Sequence, residues 1–140
     1  MSRAAFHDAL CNDSELNSFG LDDDSIFHNW SSEELPREDG PFIILRWGRT
    51  PAPMFNGEVK GPESVRVWVH WPIKLTNDFF KIINILDAVD RVVKELRDVA
   101  GVDGYTLSFV TIGDRSEDFT DDGFGTITKN AEYQLFSVKS

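Results

Sequence analysis

Apolar residues recur at every third or fourth position through residues 77–99, at Phe79, Ile82, Ile83, Leu86, Val89, Val93 and Leu96. That period gathers them on one face and predicts a long amphipathic helix lying on a sheet. Ile85, Val92 and Val99 widen the stripe, and Thr76 or Asn77 stands where an N-terminal cap is wanted. On the other face Asp87 precedes Arg91, and Asp90 precedes Lys94, by four residues, the spacing of ion pairs on a solvated helix surface.

The flanking segments alternate instead with period two. Val65, Val67, Val69 and Trp71 share one face of a strand, and Arg66, Trp68 and His70 take the other. Trp68 fits open solvent poorly there, so it requires cover from elsewhere in the chain or from a neighbouring subunit. Phe42 to Trp47 and the segment from Tyr105 onward read as further strands. A last strand over Thr126 to Val138 is best defined from Glu132, with Tyr133, Leu135 and Ser137 opposed to Gln134, Phe136 and Val138. Pro51, Pro53, Gly57 and Gly61 mark an irregular connection over 49–62, and residues 114–122 form an acidic one leading to Gly123, Phe124 and Gly125. Phe6 and Leu10 predict a short N-terminal helix. Ile26, Phe27 and Trp30 are too apolar for a free loop, so residues 25–39 read as a flap over one edge of the core.

The predicted architecture is a single α+β domain over 1–140. Residues 1–40 supply an acidic helix and flap, and 41–140 a ββαββ body. A small, mostly antiparallel sheet packs against the one long helix, and the helical crossover leaves room for one parallel or non-adjacent pairing.

Composition narrows the classes of function. A chain of 140 residues with 41% hydrophobic residues builds a real core. One cysteine, Cys11, leaves no intrachain disulfide, and no apolar run is long enough to cross a bilayer or serve as a signal peptide. These features predict a protein made in a reducing cytosol without membrane attachment. The net charge of −10 is uneven: in residues 1–40 ten acids stand against Arg3 and Arg37, a net of −8. No basic stripe exists to neutralise phosphates, which argues against wrapping nucleic acid, whereas an acidic wall repels DNA passing nearby.

No catalytic pattern emerges. His7, His28 and His70 lack zinc-ligand spacing with each other or with Cys11, and there is no GxSxG elbow, phosphate loop or dinucleotide fingerprint. The 114–125 stretch lacks the ligand alternation and terminal glutamate of a calcium loop. Asp22, Asp23 and Asp24 are adjacent, and consecutive residues do not readily turn toward one ion. The expectation is a protein that is not an enzyme and has no catalytic, cofactor-binding or metal-ligating residues.

In its order of pieces the chain resembles the tail terminator proteins of long-tailed (siphovirus-type) bacteriophages. The likeness runs through the helix around Ala4 to Leu10, Ser25-Ile26-Phe27, the strand Pro41 to Trp47, Val65 to Pro72, the long helix, Tyr105-Thr106-Leu107 and the DRSEDFTDDGFG stretch. It covers most of the chain and contains no short diagnostic motif. The resemblance implies a homo-hexameric ring at the head-tail interface of the virion, assembled in the host cytoplasm. Such a ring caps the major tail tube protein, ends its polymerisation and meets the head-tail connector or stopper protein. Genomic DNA passes through its lumen without specific binding, and no cofactor is needed. On that reading Trp68, Phe119, Phe124, Asp118 and Asp121 are candidate interface residues, with 114–125 as an arm whose phenylalanines alternatively fold back onto the core. Asp22, Asp23 and Asp24 are candidates for lining the DNA channel. Another head-tail neck or tail-completion protein, or a monomeric small-ligand-binding module using Trp30, Trp68 and the flap, are the alternatives.

Overall fold

The computed structural model describes residues 3–30, 34–48 and 62–139. Two helices, α1 (Arg3–Cys11) and α2 (Ser14–Ser18), precede strands β1 (Ile26–His28), β2 (Phe42–Trp47) and β3 (Glu63–Pro72). The long helix α3 (Phe79–Lys94) follows, then β4 (Val99–Ala100), β5 (Tyr105–Arg115), β6 (Phe119–Asp121) and β7 (Thr126–Lys139). The α+β class, the long helix, the short N-terminal helix and the mostly antiparallel sheet agree with the sequence pattern. The irregular connection expected over 49–62 lies outside the described residues up to Gly61. No helix among the described residues is long and apolar enough to cross a membrane.

One seven-stranded sheet runs in the order β1-β2-β3-β7-β5-β4, and β6 shares with β5 one edge of β7. Among the described residues only β1 and β2 pair in parallel. β3 and β5 both run antiparallel to β7 and therefore parallel to each other, so α3 links two strands with a third inserted between them. This is the non-adjacent arrangement the crossover left open.

The sequence pattern undercounts the strands and overruns the helix. β1, β4 and β6 hold three, two and three residues, too few for a period-two signal. The N-terminal cap is Asp78, whose carboxylate accepts the Phe80 N–H at 3.0 Å, rather than Thr76 or Asn77. At the other end the helix closes at Lys94 with Glu95 as its C-cap, and Asp98 then takes φ 52°, a left-handed conformation that short polar residues tolerate. Val99 lies beyond the helix and pairs with Leu107.

The main core cluster lies on one face of the sheet, while Phe42 and Ile44 are buried on the other. Ile82, Ile85, Leu86, Val89 and Val93 of α3 meet Ile43, Leu45, Val65, Val67, Val69, Leu107 and Tyr133, and Phe6, Leu10 and Leu16 pack beside them. Each such aliphatic side chain contributes about 1.5–3 kcal/mol on burial. The surface ion pairs foreseen within α3 are replaced by contacts between elements. Arg91 holds both oxygens of Asp13 at 2.7 Å and Glu15 at 3.3 Å, fixing α2 to α3. Arg115 of β5 donates to Asp87 and Asp90 at 2.8 Å each. A forked guanidinium with two acceptors fixed on another element is the better partner, because the flexible i+4 pair gives up side-chain freedom for one exposed contact.

Candidate functional site: an aromatic and acidic cleft on the sheet face away from the long helix

Alternation that sends valines toward α3 sends a different set to the other side of the sheet, which α3 leaves uncovered. Register places Phe42 opposite His70, His70 opposite Thr128 and Thr128 opposite Phe119, across four strands. The rings along this row touch. Phe42 and His70 stack with centroids 4.9 Å apart, and Phe124 meets them edge-on at 5.8 and 5.2 Å. Trp68 lies 6.2 Å from His70 and 6.4 Å from Phe119.

His70 is 3% exposed and shares a 2.9 Å hydrogen bond between Nδ1 and Thr126 Oγ1. Burial, partly opposed by the nearby Asp121 carboxylate, pulls its pKa down to about 4, so the ring is neutral at physiological pH. Thr128 donates to the Val69 carbonyl at 2.8 Å. His70, Thr126 and Thr128 therefore have partners inside the fold, as burial demands, whereas the buried Trp68 indole N–H has none among the described residues.

The 114–125 stretch is only partly a loop. Arg115 ends β5, and β6 pairs Phe119, Thr120 and Asp121 with Thr128, Ile127 and Thr126. Asp121 shapes the return turn: its Oδ1 accepts the Phe124 N–H at 3.0 Å, and its carbonyl accepts the Gly125 N–H at 2.8 Å. Gly125 adopts φ 67°, which the absence of a Cβ permits. The Gly125 carbonyl in turn accepts the Ile73 N–H, tying the arm to the end of β3.

The five residues nominated as interface are thus brought into one corner and given unlike roles. Phe124 folds back onto Phe42 and His70. Phe119 covers Trp68 from within the chain yet stays 41% exposed. Asp118 is held by Lys129 at 3.0 Å. Trp68, Phe119, Thr120, Asp121, Asp122 and Thr128 line a cleft of about 330 Å³. Further along the same face Phe109, 39% exposed, stacks on Phe136 at 4.6 Å.

Asp22, Asp23 and Asp24 lie elsewhere, exposed in the turn between α2 and β1. The turn closes when Asp22 Oδ1 accepts the Asp24 N–H at 2.9 Å. One oxygen from each of the three then lies within 4.8 Å of the others, closer than their adjacency implied.

The fold also assembles two groups that sequence spacing hides. The His7 and His28 rings lie 4.4 Å apart and tilted by 32°, and Trp47 donates its indole N–H to His28 Nδ1 at 2.9 Å. An indole only donates, so neutral His28 carries its proton on Nε2. Although the residue is exposed, partial desolvation of its ring, with His7 and Arg3 adding to it, lowers the His28 pKa. Cys11 Sγ stands 3.5 and 3.7 Å from the two nitrogens of His7. Such near-equal distances set the sulfur against the ring face, off the in-plane lone-pair axis a metal would need. Burial and then Asp23, Asp8 and Asp22 push the Cys11 thiol up to about 12. The second group joins Tyr133 to Asp90 and Arg115 between sheet and helix. His7 and Cys11 share α1 at a spacing of four, but His28 and Trp47, like Tyr133, Asp90 and Arg115, come from separate elements, so no local spacing signals the full groups.

No protein-family model matches the chain, and no curated protein matches it in sequence.

Proposed function

We propose that this protein is a bacteriophage tail terminator: a ring-forming structural protein that caps the tail tube and joins it to the head connector. The reading rests on the resemblance in order of elements and acts through shape and occupancy, without turnover. The observation that supports it best lies on the sheet face away from α3, where Phe109 stacks on Phe136 and stays 39% exposed. A closed ring requires two unlike, complementary patches on every copy, and exposed aromatic rings are the usual anchors of such contacts. The acids gathered in residues 1–40 then belong on the lumen, where Asp22, Asp23 and Asp24 would repel passing phosphates.

Native mass measurement and negative-stain imaging, with the protein alone and mixed with tail tube protein, test the proposal. A six-fold ring or a capped tube is the expected result. A monomer under both conditions, with tubes left uncapped, overturns it. The cleft beside Trp68 favours a second reading, a monomeric ligand-binding module, which the same monomer result would promote.

A further inference from the structure

We propose that the cleft between β3 and β6 is a receptor for a cationic side chain, and that its occupant is an arginine-bearing segment of a different, basic protein. The inference goes beyond the tail-terminator reading and stands without it.

The cleft combines two features that attract the same chemistry. Trp68, paired with Asn130 of β7, and Phe119, paired with Thr128, form its aromatic part, their planes 27° apart. Aromatic faces carry partial negative charge and attract guanidinium and ammonium groups. Asp121 and Asp122 form the other part. Among the described residues neither carboxylate is within ion-pair reach of a basic group, because Lys129 is already engaged by Asp118 and Arg115 by Asp87 and Asp90. Elsewhere some acids have basic partners, as Glu63 has Arg3, Asp13 has Arg91 and Asp39 has Arg37, while others, Asp103 and Glu117 among them, have none among the described residues. What sets Asp121 and Asp122 apart is the pair of partly exposed rings beside them.

Charge decides the occupant. Five acids lie within residues 114–122 against Arg115 alone, and the whole chain carries −10, so a second copy brings net repulsion to this corner. A basic partner gains that same field as attraction. Arginine suits the cleft better than lysine, because a planar guanidinium stacks on a ring while its N–H groups reach carboxylates at the edge.

Short blocked peptides carrying arginine, and the same peptides carrying citrulline, test this by nuclear magnetic resonance titration of the ¹⁵N-labelled protein. Citrulline keeps the shape and removes the charge. Trp68→Phe identifies the Trp68 indole signal. The arginine peptide is expected to shift that signal and the Thr120 to Gly123 amides, with citrulline binding weaker by at least about fivefold. The paired substitution D121N/D122N is chosen because an asparagine at position 121 keeps a side-chain acceptor for the Phe124 N–H. It is expected to weaken binding by a similar factor with an unchanged circular dichroism spectrum. Equal binding of citrulline, shifts confined to Asp22–Asp24, or an unaffected double variant each overturn the proposal. Cleft signals that move with protein concentration in the absence of peptide also overturn it, since the occupant would then be a second copy.

Discussion

Tyr133 donates its phenolic hydrogen to Asp90 at 2.5 Å, joining the middle of β7 to the C-terminal half of α3. The tyrosine is fully buried, and desolvation together with this carboxylate raises its pKa far out of the physiological range. It therefore acts as a permanent donor. Arg115 approaches Asp90 at 2.8 Å, so one carboxylate fastens two strands to the helix.

Tyr133→Phe is expected to lower stability by about 1.5–3 kcal/mol, the range for a hydrogen bond to a charged group. Urea unfolding at pH 7 measures it. The Tyr133→Phe and Asp90→Asn pair in a double-mutant cycle should show coupling above about 0.5 kcal/mol. A phenylalanine variant with the wild-type midpoint would mean that the latch contributes nothing.

Substitutions along α3 should divide by face. Ile82 and Leu86 are fully buried in the core cluster, and truncating either to alanine is expected to cost about 2–5 kcal/mol. Phe80 is 72% exposed on the same helix, so Phe80→Ser should stay within about 0.5 kcal/mol. Thermal melts of the three variants compare them directly. A Phe80 effect as large as the Ile82 effect would contradict the orientation of the helix.

Acid should weaken the fold through His70. Its folded pKa of about 4 lies below the ordinary 6.5, so the unfolded chain binds this proton more readily. The stability associated with the neutral ring is whole above pH 6.5 and falls as pH drops toward 4, by up to about 3 kcal/mol. His28 shifts in the same direction. His70→Phe keeps a ring on Phe42 and removes the titration, so its unfolding midpoint should fall less than wild type between pH 7 and 4.5. Parallel pH profiles for the two proteins would refute the assignment.

Cys11 should be slow to react. With its thiol pushed up to about 12, little thiolate exists near neutrality, and thiolate is the nucleophile. Labelling with a disulfide reagent at pH 8 is expected to run much faster in urea than in buffer. Equal rates would show that neither burial nor the acids around Cys11 protect it.

Phe119 separates folding from assembly. It is 41% exposed, so Phe119→Ser should change stability by no more than about 1 kcal/mol while weakening any contact the arm makes with tail tube protein. Unfolding curves and native mass together measure both. Intact assembly in this variant would remove the arm from the interface.

What the residue pattern disclosed, and what it hid, follows from range. The stripe from Phe79 to Leu96 and the alternation from Val65 to Trp71 are local, and both elements stand near where periodicity puts them. β7 begins at Thr126, six residues before its clear alternation, because Thr126, Thr128 and Asn130 are polar side chains buried by partners no local window contains. β1 reads as a flap since Ile26 to His28 becomes a strand only beside β2. The corner holding Trp68, Phe119, Phe124 and Asp121 was nominated in part from surplus aromatics and acids. Its closure, with Phe124 on His70 and Asp118 on Lys129, depends on register across β3, β7 and β6.

The place of β7 in the sheet has a consequence for synthesis. This 14-residue strand is the last of the described elements to leave the ribosome, and it is the one that separates β3 from β5. Until it emerges, those two strands have no shared neighbour, and both expose hydrogen-bonding edges that β7 will cover. α3 meanwhile has only part of the surface against which its apolar stripe packs. Folding therefore waits on distant partners, the regime in which topology slows the reaction and nascent chains aggregate. A ribosome paused before Thr126 would carry an unfinished domain with two open flanks, and binding by a holding chaperone is expected at that stage. The same constraint makes completion abrupt: inserting one strand closes the sheet, covers the helix and forms the aromatic corner together.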